Sequence, residues 1–174
     1  MPDRDQTTGS FDRPPTTRVD TSDIQNAQLR KAFELWTKLK GERPFPARSE
    51  ISPRDLVDFL RHIVLVRVLD GGNEFQFRIV GDAIVLAQGH TFQGLTTAEI
   101  ELQLPGYGKM VKRAYQRVYA DRKPLLLRGW FEHASTKRAF LHETLGLPLG
   151  PDPETVDHIL VVAVYAFSHD KAAT

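Results

Sequence analysis

Residues 62–80 constrain this chain more than any other stretch. The run 62–69 is rich in Val, Ile and Leu, and Asp70-Gly71-Gly72-Asn73 follows it directly. Paired glycines between Asp and Asn supply the positive φ angles that a tight hairpin turn requires. Past the turn, Phe75, Phe77 and Ile79 alternate with Gln76 and Arg78 over residues 74–80, the two-residue period of a strand with one buried face. The stretch predicts an antiparallel hairpin. Strand and helix do not alternate elsewhere in the chain, which argues against a doubly wound parallel sheet.

Three further strand-like runs lie at 125–133, 138–148 and 156–167. A Ser135-Thr136 turn joins the first two, and Gly150-Pro151-Asp152-Pro153 joins the last two. Helical periodicity appears in two long segments. At 24–40, Leu29, Ala32, Phe33, Trp36 and Leu39 recur at steps of three and four, with Gly41 as the C-terminal stop. At 107–122, Tyr107, Met110, Val111, Ala114 and Val118 cluster on one face, opposite Lys109, Lys112, Arg113 and Arg117. Ser52-Pro53 opens a short helix, since Pro at the first helical position loses no needed donor. Residues 82–88 and 96–102 read as two more short helices. Leading helices, two strands, a helical middle and three closing strands make a hairpin-rich α+β arrangement, with helices inserted between the second and third strands.

Residues 1–22 hold few bulky apolar side chains and are expected to be disordered, because little burial is available to offset the entropy of ordering. The domain is expected over 23–168, with a disordered tail at 169–174. The sequence contains no cysteine, which removes disulfides, thiolate metal sites and cysteine nucleophiles. Neither an export leader nor an apolar run of membrane-spanning length is visible, so a cytoplasmic location is expected. A formal charge of +1 gives no global pull toward nucleic acid or anionic lipid.

Motifs with a mechanical basis are sparse. Gly106-Tyr107-Gly108 follows no strand and lacks the third glycine of a dinucleotide fingerprint. His133 and His142 would sit roughly 13 Å apart along a hairpin, too far to share a metal, so no metal site is expected. The cations at 109–117 could follow a phosphate backbone, but no aromatic platform is interleaved with them, and a solvated helix face explains them better. No catalytic residue is assigned. Arg78, His90, Tyr115, Trp130 and Tyr165 carry polar or aromatic groups suited to a pocket wall.

Three blocks of sequence resemble a bacterial family of small stand-alone PAS-type proteins. The first is Phe75-Gln76-Phe77-Arg78-Ile79-Val80-Gly81, continued by Asp82-Ala83-Ile84-Val85 and then Gly89 and Gly94. The second is Leu35-Trp36 with Pro46-Ala47-Arg48 and Ser52-Pro53 downstream. The third runs from His142 to Leu149 and from Glu154 to Leu160. The resemblance implies a PAS-like five-stranded antiparallel sheet, helices on one face, an internal cleft and an N-terminal helical extension. It implies a sensory or interaction module that acts in signal transduction and often dimerises through flanking helices. On that basis Arg78, Tyr115 and Trp130 are candidate ligand-binding residues, and Leu35, Trp36 and Leu39 are candidate homodimer contacts. Covalent flavin photochemistry is excluded by the lack of cysteine. Haem is not expected, because the helix at 107–122 has no histidine.

The expected function is therefore a non-catalytic regulatory module binding a protein partner, a small molecule or both, with the cofactor unknown. The rival reading is an isomerase or hydratase on a cone-shaped α+β fold. It would need a buried acid or base, for which Asp82 and Glu143 are the only carboxylates to inspect. Nucleic-acid binding through 109–117 is the third reading.

Overall fold

Asp70, Gly71 and Gly72 take φ angles of 46°, 57° and 87°, and the turn they form joins strands β2 (Ile63–Leu69) and β3 (Glu74–Val80). A Cβ on Gly72 would stand 2.5 Å from the Tyr119 ring, so the turn needs glycine there for space as well as for backbone angle. The computed structural model describes residues 15–132 and 139–167. Among them the remaining elements are β1 (Thr17–Val19), α1 (Ala27–Lys40), α2 (Asp82–Gln88), α3 (Thr97–Gln103), α4 (Tyr107–Asp121), β4 (Leu125–Glu132), β5 (Ala139–Leu149) and β6 (His158–Phe167). The short helix expected at Ser52-Pro53 is a single 3-10 turn, Pro53–Leu56. The Asp55 carboxylate accepts from the Ser52 backbone N–H at 2.8 Å and from its hydroxyl at 2.7 Å.

All strand pairs are antiparallel, in the order β1-β4-β5-β6-β2-β3. The five expected strands are present. A sixth, β1, comes from within the stretch 1–22 expected to be disordered. Its ladder runs Thr17↔Arg128, Arg18↔Leu127 and Val19↔Leu126. An edge strand is held by backbone hydrogen bonds, so it forms without the apolar side chains whose scarcity suggested disorder. Residues 1–14, the 133–138 connection with its Ser135-Thr136 turn and His133, and the tail at 169–174 lie outside the described residues. At the other edge, the Phe77 N–H donates to Leu95 O at 2.9 Å and the Gly94 N–H to Phe77 O at 2.7 Å. That segment covers the outer rim of β3.

Strand alternation gives the sheet two faces with different tasks. His142, Thr144 and Gly146 of β5 point toward α4, while Glu143, Leu145, Leu147 and Leu149 point the other way, where α1 lies. Leu29, Ala32 and Trp36 of α1 are buried against that outer face. The Trp36 indole N–H donates to Pro148 O at 2.9 Å, which satisfies its polar handle inside the fold. α2, α3 and α4 cover the inner face. The Glu101 carboxylate accepts from the Gly106 and Lys109 amides at 2.9 Å each and so caps the start of α4, where unpaired donors and the helix dipole favour an anion.

One buried charge holds the N-terminal segment to this frame. Glu143, 8% exposed, accepts from the Gln25 and Asn26 amides at 3.0 Å each and from Arg128 Nη2 at 2.7 Å. Arg128 also donates to Asp23 O. The Asn26 side chain then caps α1 by accepting from the Gln28 amide at 2.8 Å. Glu143→Ala removes one charge of a buried pair and strands two amides, a change that costs about 3–5 kcal/mol for a fully buried pair. Arg128 keeps some solvent contact, so a loss of about 2–3 kcal/mol is expected by urea denaturation. Glu143→Gln retains an acceptor oxygen and should lose about half as much. Equal losses in the two variants would count against the charge as the cause.

Candidate functional site

The inner face does not close completely on α4. Where helix and sheet meet, the facing residues are small. Gly146 and Ala163 lie on the sheet and Ala114 on the helix, and a Cβ added to Gly146 would already stand 3.0 Å from Val118 Cγ2. Larger side chains flank this zone, and a cavity of about 700 Å³ remains between them. Its wall is mostly apolar, including Val64, Phe77, Ile84, Leu125 and Val161. A run of aromatic contacts encloses one side: Phe77 to Phe92 at 6.3 Å between centroids, Phe92 to Tyr107 at 5.5 Å, and Tyr107 to Phe131 at 5.7 Å. A concave, largely apolar space with a few polar groups is what a small-molecule site requires.

Those polar groups fall in one row of the sheet. Thr16, beside the edge strand, meets His142 of β5, and His142 pairs across the ladder with Tyr165 of β6. The Thr16 hydroxyl lies 2.8 Å from His142 Nε2 and 3.3 Å from Trp130 O, and His142 Nδ1 lies 2.9 Å from the Thr144 hydroxyl. One assignment uses all three contacts. Nε2–H donates to Thr16, Thr16 donates to the Trp130 carbonyl, and Thr144 donates to Nδ1. This is a neutral imidazole, in accord with the burial that holds His142 below its ordinary range. Tyr165 receives a hydrogen bond from Gln88 Nε2 at 3.4 Å and another from Tyr107. Burial pushes Tyr107, Tyr115 and Tyr165 above the usual phenol range, so all three are neutral at physiological pH.

The entrance carries charge of one sign. Arg18, Lys109, Arg113 and Arg117 border it, and no carboxylate lines the cavity among the described residues. Arg18 and Arg117 both reach Asp121, at 3.7 and 2.7 Å, and Lys109 reaches Glu101 at 3.6 Å. The basic face at 109–117 is thus exposed as expected, but three of its four cations also rim a cavity mouth. The segment leading into β1 forms the far lip. A Cβ on Gly129 (φ 157°) would lie 2.4 Å from Thr16 Cα, so glycine lets this segment cross β4 closely enough to reach His142.

Of the candidate ligand-binding residues, the cavity brings in Tyr115 alone. Its ring packs 5.9 Å from that of Phe77. Arg78 follows Phe77 in β3 and points to the opposite face, exposed, with Nη1 3.4 Å from Gln76 Oε1. Trp130 pairs with Leu141 on the outer face as well. Tyr165 lies in the wall, and His90 sits in an exposed connection beside Phe92. Sequence reasoning passed over Tyr107, Gln88, His142 and Thr144. A signal for the last two existed, since His142, Thr144 and Gly146 alternate with Glu143, Leu145 and Leu147 along one strand. Neither carboxylate that an enzymic reading would need reaches the cavity. Asp82 is exposed and paired with Arg61 at 3.0 Å, and Glu143 serves the outer face. Among the described residues, no cluster of His, Asp or Glu is arranged to hold a metal ion.

The state of His142 should be visible in the pH dependence of stability. Its folded pKa lies below the ordinary value of about 6.5, so the unfolded chain binds more protons as pH falls into that range. The stability that neutral His142 provides is full above about pH 6.5 and is lost as pH falls through the folded value. Relative to His142→Gln, the wild type should lose melting temperature more steeply between about pH 7.5 and 5.5. Parallel profiles would mean that His142 remains solvated.

No curated protein matches the chain. The sequence model of the PAS domain family matches residues 24–164, from the last residues before α1 into β6. The matched region takes in β2 to β6, whose sheet, with helices over its inner face, has the α+β form expected of such a domain. PAS domains are in general non-catalytic sensory and regulatory modules. With four-fifths of its length matched and its five core strands in place, this chain belongs to the PAS domain family.

Proposed function

We propose that this domain is a non-catalytic sensor that holds a small molecule between α4 and the sheet and reports its presence through the N-terminal segment. One observation carries the reading. The cavity of about 700 Å³ is lined by a ready set of neutral donors and acceptors, and its lip is the segment that leads through β1 into α1. A ligand touching Thr16 or Arg18 therefore touches the segment that precedes the N-terminal helix.

A ligand that binds only the folded state adds about 2.7 kcal/mol at 100 times its dissociation constant. For a domain of this size, that is a melting shift of roughly 5–11 °C. A metabolite library screened by thermal shift should yield such a compound. Its effect should weaken in Ala114→Leu, which intrudes on the cavity, and persist in Trp130→Ala, which alters the outer face. The opposite pattern would move the site to the outer face, and a wholly silent screen would leave the cavity without a sensing role.

Self-association is the quaternary form we propose, through the exposed margin of α1. Trp36 is spent inside the fold, so Leu35 and Leu39, both half-buried, remain to meet a second copy. Leu35→Glu should sediment as a smaller species with its circular dichroism unchanged. Identical sedimentation of variant and parent as dimers would shift the interface away from α1. Among the described residues no helix is long and apolar enough to cross a membrane, which agrees with a module that works in aqueous solution.

A further inference from the structure

We propose that the ligand is an amphipathic organic anion, a single carboxylate on an apolar body, with the body in the cavity and the head at the mouth beside Arg113. The inference rests on the sensor reading above and adds the chemistry of what is sensed. Three observations lead to it.

The first is the division of the site by polarity. Phe77, Ile84, Leu125 and Val161 make the interior apolar, while the charged side chains bordering the cavity lie at its mouth. A wholly polar metabolite would give up its hydration along most of this wall without replacement hydrogen bonds. An apolar body loses nothing by entering.

The second is the sign of the mouth. Arg18, Lys109, Arg113 and Arg117 border it with no carboxylate among the lining residues described. A cationic head group would meet a net excess of like charge there, and a neutral one would leave the field unused.

The third is the distribution of partners within that group. Arg18 and Arg117 share Asp121, and Lys109 reaches Glu101. Among the described residues Arg113 makes no ion pair, although it stands on α4 between Lys109 and Arg117. A planar guanidinium facing a cavity mouth matches a carboxylate with two parallel N–H donors. The histidine row deeper in the site is neutral and already hydrogen-bonded, so it supplies polarity without a second full charge. One anionic head is therefore the complement, rather than a dicarboxylate.

The probes are decanoate, decanol and decyltrimethylammonium, matched in alkyl length, with 2-naphthoate to separate a linear from an aromatic body. Binding to the full chain is measured by calorimetry at low and high salt. The wild type should bind decanoate or 2-naphthoate roughly five- to tenfold more tightly than decanol, the range expected of a charge-assisted bond near solvent, and the cation least. High salt should narrow the gap. Arg113→Gln should weaken the carboxylate by a similar factor and leave decanol unchanged. Ala114→Leu, which intrudes on the cavity, should weaken every probe. Arg113 is exposed, so its replacement leaves the fold intact. Equal affinity for decanoate, 2-naphthoate and decanol, or an Arg113→Gln effect that extends to decanol, overturns the anion while the cavity reading stands. Carboxylate affinity left unchanged by Ala114→Leu overturns both, because the probe would then sit outside the cavity. Failure of all four probes overturns the proposal, and the library screen then decides the sensor reading separately.

Discussion

The register of β5 governs the molecule. This strand lies between β4 and β6, and each of its residues commits to one of two unlike environments. His142 and Thr144 face the cavity, Gly146 packs on α4 beside it, and Glu143, Leu145 and Leu147 face α1. Side chains alternate with a period of two, so a slip of one residue would exchange the sets. The buried carboxylate of Glu143 would then enter the cavity, and leucines would fill the space that glycine and threonine leave. Long ladders on both sides fix the register, from Leu125↔Gly146 to Glu132↔Ala139 with β4 and from Phe140↔Phe167 to Leu149↔His158 with β6. The ion pair with Arg128 adds a polar constraint, because only one register brings Glu143 to the α1 amides.

The cavity follows from that choice of residues. Protein interiors close to densities that leave few voids larger than a water molecule. Here the closure fails beside the point where Gly146 packs on Val118, along a wall that Ala163 and Ala114 line with small side chains. Gly146, Ala163 and Ala114 are each smaller than the Val and Leu residues common elsewhere on the sheet, and together they hold α4 near the strands without filling the space beside it. The cost is reduced because the polar wall groups pair with one another: His142 with Thr16 and Thr144, and Tyr165 with Tyr107 and Gln88. A void lined by unpaired donors would be far more expensive.

Much of this was legible in the sequence, and the gaps have physical causes. Hydrophobic period and turn chemistry located the core strands and the long helices to within a few residues, because both signals are local. The phase of a strand relative to the cavity is not local when apolar residues occur on both faces. Trp130 lies in such a strand, between Leu125 to Leu127 and Phe131, and its own alternation does not say which side the helices cover. Arg78 was more tractable, since Phe75 and Phe77 already marked the buried face and placed Arg78 opposite. Strand β1 left no periodic trace at all. Three residues held by backbone bonds, a threonine on a histidine and a glycine crossing have no hydrophobic pattern to read.

On the sensor reading proposed above, that same economy makes the N-terminal segment the responsive part of the fold. Consecutive residues of β5 hold it from opposite faces: His142 meets Thr16 on the cavity side, and Glu143 meets Gln25 and Asn26 on the outer side. The second attachment is a buried charge with several hydrogen bonds. The first is a short edge strand whose side-chain links, Thr16 to His142 and Arg18 to Asp121, are solvent-exposed, the kind of element that opens without global unfolding. A ligand shifts such an equilibrium only by binding one of the two arrangements more tightly. Thr16 and Arg18 complete the cavity wall only when β1 is paired with β4, so a ligand that contacts them binds the closed arrangement better. On that proposal, occupancy stabilises β1 on the sheet and fixes the path of the chain into α1, while the Glu143 attachment keeps the helix itself in place.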